Sequence, residues 1–116
     1  MSSVLLAEDE FLIRAVMVDA LGAVGIPCIE APTGQVALDV LAGSTPLAAA
    51  IVDIGLPDMS GETVIEAAIR HRPGVPIIRC SGRDAVASDD PRIKVFPKPY
   101  VAADLSRFVA ALVGKA

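Results

Sequence analysis

The residues Ala49-Ala50-Ile51-Val52-Asp53 constrain this chain more than any others. They form an apolar run without alternation that stops on one carboxylate. Such a run reads as a strand buried on both faces, which points to a parallel sheet with helices on either side. The turn Ile54-Gly55-Leu56-Pro57-Asp58-Met59-Ser60-Gly61 follows at once. Asp53 therefore stands at a strand's carboxyl end, where open α/β sheets place their chemistry. A strand-end Asp commonly caps the next helix. Here the next helical pattern starts only near Gly61 or Glu62, too far along the chain for Asp53 to cap it, and a functional role becomes the better reading.

Composition agrees with that architecture. Apolar residues make up 53% of the 116-residue chain but aromatics only 3%, so the core is expected to be Val, Ile, Leu and Ala. The length suits one domain with one core, residues 1–116. No apolar run approaches the ~20 residues a bilayer span needs. The start, Met1-Ser2-Ser3-Val4, lacks a basic signal region, and the expected location is cytoplasmic. A net charge of −4 argues against nucleic acid as a partner, since such binders carry a basic patch. Cys28 and Cys80 lie in strand-like runs and read as buried free thiols. There is no Cys-x-x-Cys and His71 has no second His to share a metal, so no zinc site is expected.

Taken in order, Ser3–Ala7 reads as a first strand ending in Glu8-Asp9-Glu10. A helix follows, with Ile13, Val16 or Met17, Ala20 or Leu21, and Val24 at helical spacing, stopped by Gly25 and Pro27. Cys28–Ala31 is a second strand. Thr33 is the expected N-cap of a helix through Val36, Ala37, Val40 and Leu41, ended by Gly43. The Asp53 run is the third strand. A third helix spans about Glu62 to Arg70, with Val64, Ile65, Ala68 and Ile69 inward. Val75–Cys80 is a fourth strand ending at Ser81-Gly82. The interval from Ser81 to Lys98 is short and must hold a fifth strand, Ile93–Phe96. The polar segment from Arg83 to Pro91 leaves room for at most about two helical turns. The last helix, about Val101 to Val113, buries Leu105, Phe108, Val109 and Leu112. Five strand–helix alternations without repeat or linker make one doubly wound α/β domain.

The polar strand ends then share one rim: Glu8 and Asp9 from the first strand, Asp53 from the third, Ser81 from the fourth, Lys98 from the fifth. Three carboxylates together repel each other and call for a cation. Oxygen-only ligands select a hard ion, and Mg²⁺ is the expected cofactor. A carboxylate can itself attack a phosphoryl group. The resulting charge would be met by Lys98, by the Ser81 hydroxyl and by the metal. Any one of these residues alone would read as a helix-start charge, a turn residue or a solvated side chain. Their coincidence at matching strand ends favours function.

These residues resemble the receiver domain of two-component response regulators, the chemotaxis-regulator-like fold. The resemblance covers essentially the whole chain and is carried by Glu8-Asp9, by Asp53 through Gly61, by Ser81-Gly82 and by Lys98-Pro99. It implies sheet order 2-1-3-4-5, with Asp53 accepting a phosphoryl group from a histidine kinase or histidine phosphotransfer protein. It makes Asp9 and Asp53 direct Mg²⁺ ligands, Glu8 a ligand through water, and the Gly55 carbonyl the remaining protein ligand. Lys98 would bind the phosphoryl group, and its bond to Pro99 would be cis. In that sheet order Cys28 and Cys80 lie three strands apart, roughly 14 Å, too far for a disulfide. Three features depart from the common pattern. Val95 stands where many receivers carry an aromatic, with Phe96 one step later; these two and Arg83 form the candidate switch and partner surface. The short Ser81–Lys98 interval implies a stunted or missing fourth helix. Pro76-Ile77-Ile78-Arg79-Cys80-Ser81-Gly82 is similar to the Pro-Phe-x-Phe-Ala-Thr-Gly pattern of one receiver subfamily, with Ile77 and Arg79 at the two Phe positions.

The leading expectation is a stand-alone phosphoacceptor that assists its own phosphorylation and dephosphorylation without being an enzyme. It would signal through a protein target or act as a phosphate shuttle or sink, with no nucleic acid and no membrane involved. Two alternatives stand beside it. A small aspartyl-phosphate phosphohydrolase usually wants a second acid two residues after the nucleophile, where this chain has Gly55. A phosphorylation-independent binding module would not need Glu8, Asp9, Ser81 and Lys98 intact.

Overall fold

Five parallel strands form one sheet in the order β2-β1-β3-β4-β5. A computed structural model describes residues 2–81, 90–97 and 101–114. The strands are β1 (Ser3–Ala7), β2 (Cys28–Ala31), β3 (Leu47–Asp53), β4 (Ile77–Ser81) and β5 (Ile93–Pro97). The helices are α1 (Phe11–Ala23), α2 (Gly34–Ala42), α3 (Gly61–His71) and α4 (Ala102–Leu112). The expected doubly wound α/β fold with order 2-1-3-4-5 is the one observed. The expected reduced connection after β4 falls on residues 82–89, outside the described residues.

Side-chain alternation along each strand sorts the core into two halves. Leu5, Ala7, Ala50, Val52 and Ile77 point to one face and pack under α2 and α3, with Leu41, Val64, Ile65 and Ala68. Val4, Leu6, Ala49, Ile51, Ile78 and Cys80 point to the other and meet Met17 and Leu21 of α1 and Leu105 and Val109 of α4. The central strand β3 is buried almost throughout, as its unalternating sequence demands. β3 begins two residues before the expected run, at Leu47. β4 starts later than expected and takes in Ser81.

Helix α2 starts where Thr33 accepts a hydrogen bond from the Val36 N–H. It also receives help from two distant side chains. The Asp58 carboxylate accepts from the N–H groups of Gly34 at 2.7 Å and Gln35 at 2.9 Å. At the other end the Arg72 guanidinium donates to the carbonyls of Val40, Leu41, Gly43 and Thr45. Asp58 precedes α3 and Arg72 follows it, so one segment supplies an anion to the positive end of α2 and a cation to its negative end. The Asp58 carboxyl is held below the usual carboxylate range by the Gly34 N–H first and the Gln35 N–H second.

Some inward assignments need correction. In α1 the buried residues are Met17 and Leu21, whereas Val16 and Val24 are exposed. Val36 in α2 is exposed as well. Ile69, Phe108 and Leu112 are only half-buried against the core. An α1 that is apolar on several sides offers more than one plausible inward stripe, and packing selects one spaced i, i+4. Cys80 is buried and outside any disulfide, as expected, but Cys28 is half-buried. Burial, then the Glu30 charge, pushes the Cys28 thiol up to about 11. With β1 and β3 standing between β2 and β4, no disulfide joins the two cysteines. Among the described residues no helix is long and apolar enough to cross a membrane.

Candidate functional site

Strand register decides which polar residues meet. Ala7 pairs with Val52 across β1 and β3. The next residues, Glu8 and Asp53, therefore emerge side by side at the carboxyl edge of the sheet. One carboxylate oxygen from each of Glu8, Asp9 and Asp53 lies within 4.8 Å of the others. Glu8 is 1% exposed and Asp53 6%, while Asp9 faces solvent. Three acids this close, two of them shielded from water, make a strongly negative recess.

Backbone N–H groups orient the two buried acids. The Glu10 N–H donates to Glu8 Oε2 at 3.1 Å. The Gly55 N–H donates to Asp53 Oδ1 at 3.1 Å, so the residue expected to lend its carbonyl to a metal turns its amide to the acid beside it. Arg14 of α1 donates to the Glu8 carbonyl at 3.1 Å and pairs with Glu30 at 3.0 Å, which ties the start of α1 to the ends of β1 and β2.

The loop carrying Gly55 is closed by a tight approach. The Gly61 N–H donates to the Ile54 carbonyl at 2.9 Å, and the Ile54 N–H to the Cys80 carbonyl at 3.1 Å. A Cβ at Gly61 would lie 2.6 Å from Ile54 Cα and 2.9 Å from the Asp53 carbonyl carbon. Only glycine lets α3 begin this close to the end of β3. Ser60 then caps the helix by accepting from the Glu62 N–H at 3.1 Å.

On the other side of Asp53 the register pairs it with Cys80, which sets Ser81 one residue beyond, at the same edge. Ser81 is buried. Its hydroxyl oxygen accepts a hydrogen bond from Arg79 Nη1 at 3.2 Å. Arg79 Nε in turn pairs with Glu62 Oε1 of α3 at 2.6 Å. Reading the sequence for site residues missed this pair. The available signal was a charged residue inside the apolar run Val75–Cys80.

Glu8, Asp9, Asp53, Gly55 and Ser81 thus converge at one edge. Lys98, Pro99 and Arg83 lie outside the described residues. Phe96 points to the α1/α4 half of the core, its ring centroid 5.6 Å from that of Phe108. Val95, half-buried, alternates to the opposite face.

Comparisons with known proteins agree with this geometry. Residues 4–95 match the family described as the response regulator receiver domain. The sensor kinase CckA of Brucella abortus (strain 2308) is 30% identical over 122 aligned residues, covering 98% of this chain and 13% of that protein. The chain thus spans a small part of that relative's length. The crystal structure of the receiver domain of the hybrid histidine kinase CckA superposes with a TM-score of 0.80 at 26% identity, covering 97% of this chain and 99% of that one. A response regulator receiver protein from Sinorhizobium medicae WSM419 gives a TM-score of 0.86 at 24% identity, covering 97% and 94%.

Proposed function

This chain belongs to the response regulator receiver domain family of two-component signalling, and we propose that within it Asp53 accepts a phosphoryl group from a phosphohistidine. The observation that carries the reading is the convergence of Glu8, Asp9 and Asp53 to within 4.8 Å at the edge of the sheet. In the transfer an Asp53 carboxylate oxygen forms the new O–P bond. The P–N bond of the donor breaks, and its electron pair leaves with the imidazole nitrogen.

The all-oxygen donor set fits a hard divalent cation such as Mg²⁺, held by Asp9, Asp53 and the Gly55 carbonyl with Glu8 behind them. When bound, that ion offsets charge on the phosphoryl oxygens. The Gly55 N–H donates to one Asp53 oxygen at 3.1 Å and orients the carboxylate. Ser81, one residue past Asp53's neighbour on β4, donates its hydroxyl to a phosphoryl oxygen. Lys98, whose role rests on the sequence resemblance, contributes the compensating cation. Of the residues expected to transmit the change, Phe96 packs on the α1/α4 side and Val95 alternates to the other, while the part given to Arg83 rests on the sequence alone.

The donor is a histidine kinase or a histidine phosphotransfer protein, a reading supported by the relatives' names, a sensor kinase and a hybrid histidine kinase. Such a donor must reach Asp53 across the edge of the sheet. There α1 exposes Phe11, Leu12 and Val16 soon after the acidic pair, and Leu12 and Val16, with Ile13, Met17 and Ala102, border a shallow apolar recess. This is the face we assign to the donor. Acting as a unit in the cytoplasm, the protein then passes its signal to a protein target or serves as a phosphate shuttle or sink.

Incubation with Mg²⁺ and acetyl phosphate, followed by intact mass measurement, tests the reading. Wild type is expected to gain one phosphoryl group and Asp53→Ala none. Rapid release of phosphate without a trapped adduct would favour a phosphohydrolase. No reaction at all would favour a binding module.

A further inference from the structure

We propose that Arg79 is a positioning residue for the phosphoryl transfer, acting through Ser81 and itself held by Glu62. The proposal rests on Asp53 being the phosphoacceptor. Alternation along β4 sends Ile77 to the face packed by α3, and Arg79 and Ser81, two and four residues on, share that face. Arg79 there is the one charged side chain within β4, and its side chain is only 19% exposed. A guanidinium this sheltered needs partners that satisfy it. It has two, the Glu62 carboxylate at 2.6 Å and the Ser81 hydroxyl oxygen at 3.2 Å.

The direction of the second bond matters. Arg79 donates and Ser81 Oγ accepts, so one lone pair of the hydroxyl is occupied by a permanent cation. The Ser81 proton remains available for an acceptor elsewhere, and the acceptor proposed is a phosphoryl oxygen on Asp53, whose partner in register, Cys80, directly precedes Ser81. A charged donor on Oγ also polarises the O–H and strengthens what it donates. Ser81 is thereby fixed in rotamer and primed as a donor before the phosphoryl group arrives. Glu62 stands in the first turn of α3, the helix whose start is locked to the end of β3 at Gly61. The chain Glu62–Arg79–Ser81 therefore references the hydroxyl to the same backbone that carries Asp53.

A double-mutant cycle on the rate of Mg²⁺-dependent phosphorylation by acetyl phosphate tests this, using wild type, Arg79→Gln, Ser81→Ala and the double variant. Loss of one net hydrogen bond predicts a drop of about fivefold for Arg79→Gln alone. In the Ser81→Ala background the same change is expected to cost nothing further. Arg79→Lys should recover part of the rate. Glu62→Gln, which leaves β4 untouched, should lower the rate about twofold only when Arg79 and Ser81 are both present, and it decides the matter if Arg79→Gln does not fold. Equal effects of Arg79→Gln with and without Ser81, or no effect in either, would overturn the proposal while leaving Asp53 as acceptor. A wild type that takes up no phosphoryl group overturns both together.

Discussion

Helix α2 and helix α1 cover opposite faces of the same sheet but are secured in different ways. Helix α2 is fastened at both ends by side chains from the flanks of α3, Asp58 on its first N–H groups and Arg72 on its last carbonyls. Helix α1 has no side-chain cap at its start, no acid in its first turn and no base in its last. Its Phe11 and Leu12 are 69% and 74% exposed. The first face spends its polar groups on closing itself. The second keeps apolar surface open beside the acidic cluster, where the proposed phosphoryl donor would approach. Large exposed apolar side chains grouped at one place generally mark an interaction surface. On the reading proposed above, the difference leaves structure to one face and recognition to the other.

The largest effect is expected where α3 meets β3. Gly61→Ala forces a Cβ onto the Asp53 and Ile54 backbone, and the overpacking should cost about 3 kcal/mol in urea unfolding. A change near zero would mean that the close approach is not what seals that face. Next comes Arg72→Ala. Removing a charged donor from four carbonyls should cost about 2 kcal/mol, read the same way. An unchanged midpoint would leave α2 no better fastened than α1.

Asp58 sharpens the comparison through pH. Its carboxyl is held below the usual carboxylate range by the Gly34 N–H first and the Gln35 N–H second. The charged form therefore stabilises the fold, fully so above about pH 5, and that contribution disappears as pH falls through the lowered folded-state value. The stability difference between wild type and Asp58→Ala should be constant near neutrality and shrink below pH 3.8. A difference independent of pH would remove the electrostatic part of the cap.

The smallest stability effect belongs to α1. Phe11→Ser with Leu12→Ser should change stability by less than about 0.5 kcal/mol and leave phosphorylation by acetyl phosphate unaltered. Transfer from a phosphohistidine protein should fall about tenfold, as for loss of an interface anchor. Equal transfer from both donors would move the docking surface elsewhere.

How much of this was legible beforehand follows the range of the interactions. The sheet was readable because β3 carries an unalternating apolar run and every polar strand end falls after such a run. The meeting of Glu8 and Asp53 was readable for the same reason, since parallel neighbours in register put their carboxyl ends together. Thr33 as a cap was readable because its partner Val36 is three residues away. Asp58 on α2 and Arg72 on α2 were not, because each bond crosses more than twenty residues and no local spacing encodes it. The inward side of α1 stayed open between Val16 and Met17 and between Ala20 and Leu21, and was misplaced at Val24, because a helix apolar on several sides has no single period. Arg79 was visible only as a departure from an apolar strand, and its partner Glu62 sits on another element.

The most direct measurement locates the adduct. Protein treated with Mg²⁺ and acetyl phosphate is reduced with borohydride, which converts an aspartyl phosphate to homoserine, and its peptides are then sequenced by mass spectrometry. The account predicts homoserine at position 53 and nowhere else, and only when Mg²⁺ was present. Conversion at position 9 or 58 with Asp53 intact, or conversion at 53 undiminished when the metal is chelated, would contradict it.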